Sequence, residues 1–265
     1  MQARSVVFDL FGDYIREDGG SISLQKLSAL LECFDVAPDS ARVIMSRVTR
    51  EGWFDTTRAG RTSTYTPSAK GWELLDSGLQ RIMQSPSQEK WNGIWYLVIF
   101  SVPERDRAAR SRLKTTLSWL GFGQLAPATW LAPHDKLDEA EEALQAEPSA
   151  KYDLFEARSR GLKDDRERAA QSWDLQELAH EYRSFIPRCD EIISASESAY
   201  TGRSALITRT RLIHDYRKFP FRDPGLPPEL LPADWPAVEA HTKFLQAFDR
   251  LRPEAVKYYE SLTQD

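Results

Sequence analysis

Basic side chains are concentrated in one short stretch of the chain. Residues 42–70 contain six basic residues and two acidic ones, a net charge of +4 in a chain whose total charge is −5. The six are Arg42, Arg47, Arg50, Arg58, Arg61 and Lys70. Arginine pairs with guanine edges and with phosphate oxygens, so this stretch is suited to contacting nucleic acid. The negative total excludes a globally basic nucleic-acid binder but leaves a local basic face.

The elements around this stretch predict how its side chains are presented. Pro38 suits the first turn of a helix whose inner face is Ala41, Ile44, Met45 and Val48. Two strands, Trp53–Arg58 and Thr62–Thr66, then flank a three-residue loop, Ala59-Gly60-Arg61. Earlier helices start near Val7 and at the N-cap Ser23, and a later helix starts at the N-cap Ser68. The order helix, helix, turn, helix, hairpin, helix predicts a winged helix-turn-helix.

In that fold the third helix enters the major groove of double-stranded DNA, and the hairpin lies beside the adjacent groove. The residues predicted to contact DNA are Arg42, Ser46, Arg47, Thr49, Arg50, Arg58, Arg61 and Tyr65. The alternative interpretation is a solvated helix face followed by an arginine-tipped hairpin.

A second basic stretch lies near the C-terminus. Between residues 203 and 222, six basic side chains face one acidic residue, Asp215. They are Arg203, Arg209, Arg211, Arg217, Lys218 and Arg222. Helical spacing brings Arg211, His214 and Lys218 onto neighbouring turns. Two interpretations stay open: a site for a phosphate-bearing, partly aromatic ligand, or a solvated helix that forms ion pairs.

The remaining residues do not predict catalysis, a metal site or a cofactor. Residues 121–126 match G-x-G-x-x-A, but a helix precedes them and a strand follows, the reverse of a dinucleotide site. The four histidines are far apart, and neither cysteine neighbours them. The longest apolar run, which contains Trp95–Phe100, is too short to span a membrane. A reduced, cytoplasmic protein is expected, in which Cys33 is a buried structural thiol.

The pattern predicts an α+β chain of three domains. A winged helix occupies residues 1–86, and Ser85-Pro86-Ser87-Gln88 forms a linker. Residues 87–171 alternate strands and helices as βαββαβ, which predicts a ferredoxin-like middle domain. Residues 172–265 form a helical C-terminal domain for effector binding or dimerisation, with a proline-rich connector at 220–236.

Short motifs in order along nearly the whole chain resemble the PaaX family of phenylacetate-catabolism repressors. They include Asp9-Leu-Phe-Gly-Asp-Tyr14, Ser46-Arg-Val48, Glu51-Gly-Trp53, Arg58-Ala-Gly-Arg61 with Tyr65, Trp91-Asn-Gly-Ile-Trp95, Phe100-Ser-Val-Pro-Glu104, Gly121-Phe-Gly123, Trp130-Leu-Ala-Pro133, Leu212-Ile-His-Asp-Tyr-Arg217, Arg222-Asp-Pro224, Leu226-Pro227 and Leu230-Leu-Pro-Ala-Asp-Trp235.

The resemblance implies a bacterial homodimeric repressor that binds operator DNA and is released by phenylacetyl-CoA or another aryl-CoA thioester. Apolar surface of the middle or C-terminal domain would hold the dimer. The basic C-terminal stretch would then bind the effector's phosphates. The candidate effector residues are Arg209, Arg211, His214, Arg217, Lys218 and Arg222.

The middle domain is also similar to the small CRISPR-associated ferredoxin-like endonucleases. These enzymes place a metal with an aspartate at the end of their first strand, where this chain has Ser101. Glu104 follows a proline and is a poor substitute, so a dimerisation or coupling module is expected. A metal-dependent nuclease or RNA-processing protein is the alternative. An acyl-CoA enzyme is a third hypothesis, and it lacks an identifiable nucleophile or base.

Overall fold

A computed structural model describes residues 1–86 and 89–264, so Ser87 and Gln88 of the predicted linker lie outside the described residues. The fold is mixed α/β, with many helices and two small antiparallel sheets. Contacts divide the chain into two compact units. Unit 1 combines Met1–Gln84 with Phe185–Lys218 and the chain from Glu239 onward. Unit 2 combines Ser85–Ser184 with Phe219–Val238. The three-domain division stays a prediction.

The N-terminal elements follow the predicted order. They are α1 (Ala3–Leu10), a π-helical segment (Phe11–Ile15), β1 (Ile22–Ser23), α2 (Leu24–Glu32), α3 (Pro38–Arg50), β2 (Phe54–Ala59), β3 (Thr62–Pro67) and α4 (Ala69–Met83). The hydroxyls of Ser23 and Ser68 accept hydrogen bonds from the backbone N–H groups of Lys26 and Gly71, at 3.3 and 3.1 Å. Both predicted N-caps are therefore confirmed.

A three-stranded antiparallel sheet closes this part of unit 1, in the order β1-β3-β2. The β2–β3 ladder runs to Ala59 opposite Thr62, so two residues, Gly60 and Arg61, form the turn. The predicted loop of three residues is wrong by one, because Ala59 pairs with Thr62. Gly60 has φ +60°, and a glycine at the first turn position is what a type II′ hairpin requires.

The middle of the chain contributes the elements of unit 2 up to residue 172. They are β4 (Trp95–Ser101), α5 (Arg107–Trp119), β5 (Gly123–Ala126), β6 (Thr129–Ala132), α6 (Leu137–Gln145), β7 (Lys151–Ala157) and α7 (Leu162–Ser172). The four strands form an antiparallel sheet in the order β5-β6-β4-β7. Gly121 follows α5 with φ +94°, the left-handed conformation that a glycine commonly adopts where a helix closes.

Both faces of β4, a central strand of this sheet, are buried within unit 2. Val98 and Phe100 of β4 pack into a core with Leu113 and Leu117 of α5. Because side chains alternate along a strand, Trp95 and Leu97 project to the opposite face and join a second core. This explains why Trp95–Phe100 is apolar without interruption.

The last third of the chain is helical. Its elements are α8 (Leu175–Ser194), α9 (Gly202–Tyr216), α10 (Phe219–Arg222) and α11 (Ala237–Thr263). In unit 1, Leu206 of α9 and Tyr259 of α11 join one core with Val7, Phe11 and Leu31 from the N-terminal helices. Residues more than 190 positions apart thus share one hydrophobic core. Within the described ranges, no helix combines the length and apolarity needed to cross a bilayer.

Candidate nucleic-acid interface and ligand cleft

Helix α3 carries the first predicted site. Pro38 occupies its first turn, Asp39 lies near the positive end of its dipole, and Arg47 and Arg50 lie near the negative end. Ala41, Met45 and Val48 are fully buried, which turns the opposite side of the helix outward. Of the predicted contact residues, Arg42, Ser46, Arg47 and Arg50 are exposed on that outer side.

The cations of this surface differ in how far they are already neutralised. Arg47 donates to Glu51 at 3.0 Å, and Arg4 pairs with the same carboxylate at 2.7 Å. Arg42, Arg50, Arg58 and Arg61 are exposed, and within residues 1–86 and 89–264 they have no ion pair or side-chain hydrogen bond. These four guanidinium groups are the ones best able to meet an external anion.

Two predicted contact residues do not lie on the outer surface. Tyr65 is 7% exposed and belongs to the core of unit 1, because its position on β3 lies between Ile22 and Thr56 of the neighbouring strands. Thr49 is half-buried, and its hydroxyl oxygen is buried without a hydrogen-bond partner in the structure. Burial removes Tyr65 from the candidate interface.

The second predicted cluster is divided between different surroundings. Arg209 is 2% exposed, and its Nε and Nη2 donate to the two carboxylate oxygens of Asp13 at 2.9 and 2.8 Å. Its guanidinium also lies 3.4 Å from the ring centroid of Phe248. Arg209 is therefore occupied by internal contacts. Arg222 belongs to unit 2 and pairs with Glu181.

The other four candidate residues line one cleft of about 780 Å³ in unit 1. They are Arg211, His214, Arg217 and Lys218, and Phe34, Asp35 and Asp215 line the same cleft. Arg211 is exposed, and among the described residues it has no ion-pair partner. The cleft thus combines one unpaired guanidinium with three further basic groups and an aromatic ring.

Two carboxylates already contact the remaining basic side chains of the cleft. Asp9 of α1 lies 2.7 Å from His214 Nδ1 and 3.1 Å from Arg217 Nε. Asp215 pairs with Lys218 at 3.0 Å and with Arg188 at 2.9 Å. Partial burial alone would raise the pKa of Asp215, but these two cations hold it below its ordinary value. An incoming anion would compete with both carboxylates.

The acidic partners on α1 and the π-helical segment were missed at the sequence level. Asp9 and Asp13 are four residues apart, so they lie on one face of the helix and meet Arg209, His214 and Arg217 of the α9 region. Burial raises the pKa of Asp13, and the charge of Arg209 opposes that rise. The available signal was the presence of two acids within an otherwise apolar helical face.

The middle of the chain has no acidic group at the position that a nuclease would require. Ser101 ends β4 and is exposed there. Within the described ranges, no group of three or more histidine, cysteine, aspartate or glutamate side chains is arranged to hold a metal ion. The geometry therefore gives no support to the nuclease alternative.

Comparison with known proteins identifies the family of this chain. Residues 2–71 match the model of a PaaX-like protein, 88–169 that of the PaaX protein central Cas2-like domain, and 173–261 that of the PaaX-like protein C-terminal domain. The chain is 32% identical over 263 residues to the transcriptional repressor PaaX of Escherichia coli (strain K12), covering 96% of this chain and 82% of that one. The chain belongs to the PaaX family. Its curated relative is a repressor, which places this PaaX-family protein among non-enzymatic regulators.

A solved structure supports the fold of this PaaX-family chain. The uncharacterized protein Rv0674 from Mycobacterium tuberculosis superimposes with a TM-score of 0.66 over 98% of both chains, at 21% identity. At that identity the likeness concerns the fold alone. The Cas2-like description of residues 88–169 agrees with the similarity to CRISPR-associated proteins seen in the sequence.

Proposed function

We propose that this PaaX-family protein is a transcriptional repressor that binds double-stranded operator DNA through α3 and the β2–β3 hairpin. The observation that carries the proposal is the outer surface of these elements, where Arg42, Arg50, Arg58 and Arg61 are exposed and unpaired within the described ranges. A surface with four free guanidinium groups gains free energy by displacing the counterions of DNA. The 32% identity to a named repressor supports the same function.

The arrangement that we propose for this part of the chain is a winged helix-turn-helix. Helices α2 and α3 supply the helix pair, and the β2–β3 hairpin supplies the wing. Helix α3 would enter the major groove, where Arg42 and Arg50 can pair with guanine edges and Ser46 with bases or phosphates. Arg58 and Arg61, at the hairpin tip, would contact phosphates of the neighbouring groove.

For the middle of the chain we propose a ferredoxin-like domain that serves as a dimerisation module or as a coupling module between domains. We propose that it does not cut nucleic acid. The βαββαβ order of β4–β7 with α5 and α6, and the central position of β4, support this arrangement. A single DNA-binding helix in one chain buries little DNA surface. Two such helices, related by the twofold axis of a dimer, can recognise the two halves of an inverted repeat. A homodimer on a two-half-site operator in the cytoplasm is therefore part of the proposal.

The proposed effector is an aryl-CoA thioester that binds in the cleft of unit 1. Arg211, Arg217 and Lys218 would meet its phosphates through charge-assisted hydrogen bonds, and Phe34 offers aromatic surface. The phosphate would compete with Asp9 for Arg217 and His214. Because α1 and α3 pack in the same hydrophobic core, loss of the Asp9 contacts would change the packing of α1 and, through it, that of the DNA-binding helix α3.

The experiment for DNA binding starts from the full chain and its own genome. Genomic fragments are retained on the protein, and the strongest is footprinted to define the operator. Affinity is then compared between wild type and Arg58→Gln/Arg61→Gln. We expect a single protected region with two half-sites, and weaker binding by the variant to all sequences. Equal affinity for every fragment would contradict the repressor function.

Calorimetry tests the effector part separately. Phenylacetyl-CoA is titrated into the full chain with and without operator DNA. Operator should weaken ligand affinity by the same factor by which the ligand weakens operator affinity. Arg211→Ala and Lys218→Ala should lower ligand affinity, whereas Lys257→Ala, an exposed cation of α11, should not. Unchanged affinity in the first two variants would remove the cleft as the effector site and leave DNA binding intact.

A further inference from the structure

One apolar side chain lies on the outer surface of α3. Val43 is 68% exposed, more than any other large hydrophobic side chain within the described ranges. Ala41, Met45 and Val48 of the same helix are completely buried. Packing in the core therefore does not explain why an apolar residue occupies position 43, and no described element of the structure covers its side chain.

The neighbours of Val43 on the helix surface are polar, and two of the four are arginines. Helical spacing places Asp39 one turn before it, Ser46 and Arg47 one turn after it, and Arg50 two turns after it. All four are exposed. Val43 is thus an apolar spot within a surface whose charge is complementary to DNA, at the middle of the helix proposed to enter the major groove.

We propose that Val43 is a specificity-determining residue that recognises the 5-methyl group of a thymine in the major groove. The inference rests on the proposed DNA-binding function. Thymine alone among the four bases presents a methyl group in that groove, and an apolar side chain is its usual partner. The other three bases present polar groups at the corresponding edge, which the two methyl groups of valine cannot pair with.

The expected size of the effect follows from the area removed from water. Burial of one methyl-sized group contributes about 0.8 kcal/mol, which corresponds to roughly a fourfold change in affinity for each thymine contacted. Arginine contacts to guanine or phosphate would not respond to removal of a thymine methyl. Loss of the methyl group from the DNA therefore isolates the contribution of Val43.

The test is a double-mutant cycle between protein and DNA. The footprinted operator is synthesised with deoxyuridine replacing thymidine at one position at a time, which removes only the methyl group. Affinities are measured for full-length wild type, Val43→Ala and the matched control Leu74→Ala, which shortens a 43% exposed side chain on α4. Thermal unfolding of all three proteins is compared, and Val43→Ala should remain folded because the site is exposed and alanine favours helix.

We expect one thymine position in each half-site where uracil weakens binding by wild type and by Leu74→Ala about fourfold. Because the variant loses the contact in both half-sites, Val43→Ala should bind the natural operator about sixteenfold more weakly, and it should show no further weakening at either position. Equal sensitivity of Val43→Ala and wild type at every uracil position would overturn the proposal while leaving DNA binding standing. The same holds if Val43→Ala binds the natural operator as tightly as wild type. If no DNA is bound by wild type, the proposed function fails, and this inference fails with it.

Discussion

Removal of either member of the buried ion pair between Arg209 and Asp13 should strongly destabilise unit 1. The side chains are 2% and 6% exposed, and two hydrogen bonds of 2.8 and 2.9 Å join them. Arg209 also donates to the backbone carbonyl of Phe248 on α11. The perturbations are Arg209→Met and Asp13→Leu, which each leave the partner's charge buried and unpaired.

The magnitude follows from that burial. Removing one member of a buried pair costs about 3–5 kcal/mol, a large part of the 5–15 kcal/mol that stabilises a typical domain. Replacing both members by apolar side chains leaves no unpaired charge and is often neutral or stabilising. Asp13→Leu/Arg209→Met should therefore recover most of the stability that either single variant loses.

Urea unfolding, followed by tryptophan fluorescence and circular dichroism, measures these differences. With a slope of roughly 2 kcal/mol per molar urea, each single variant should shift the midpoint down by about 1.5–2.5 M. The double variant should unfold near the wild-type midpoint. Single variants that shift by less than about 0.5 M, or a double variant whose loss equals the sum of the two, would show that burial of an unpaired charge does not destabilise unit 1.

Three further outcomes follow from the structure. Arg58→Gln or Arg61→Gln should reduce the slope of log affinity against log salt by about 0.9 for each phosphate that the variant no longer neutralises, and an unchanged slope would argue against hairpin contacts. Burial lowers the pKa of His241 below 6.5, so the unfolded chain takes up a proton at a higher pH than the folded chain does. The free energy of unfolding should therefore decline as the pH falls below 6.5. Thermal melts of His241→Asn should lack this decline. Burial raises the pKa of Cys189 to about 12 and also raises that of Cys33, so a thiol reagent at pH 8 should label both thiols only after unfolding, and rapid labelling of the native protein would contradict their burial.

Local patterns predicted the elements well. The N-caps Ser23 and Ser68 and the buried stripe of α3 are encoded within a few neighbouring residues. The β2–β3 turn differed by one residue, because pairing of Ala59 with Thr62 depends on the register of the ladder. Element boundaries are set by such pairings, which sequence spacing describes only approximately.

The sequence patterns did not predict contacts between residues that lie far apart along the chain. Arg209 and Arg211 have the same side chain and lie two residues apart, yet one is buried against Asp13, 196 positions away, and the other is exposed. Helical spacing within α9 does not reveal which side of the helix meets α1. Tyr65 is a similar case, because its burial depends on β1, a strand of two residues.

Affinity for operator DNA is the most direct measure of whether α3 reads the DNA sequence. The full chain is compared as wild type, as Arg42→Gln/Arg50→Gln, and as the matched control Arg105→Gln/Lys114→Gln. The control removes the same charge from the middle of the chain, within and just before α5. We expect the α3 variant to lose at least about tenfold in affinity for the footprinted operator, because each bidentate base contact contributes about 1–3 kcal/mol, and we expect the control to stay close to wild type. Operator binding that survives in the α3 variant and disappears in the control would contradict this expectation.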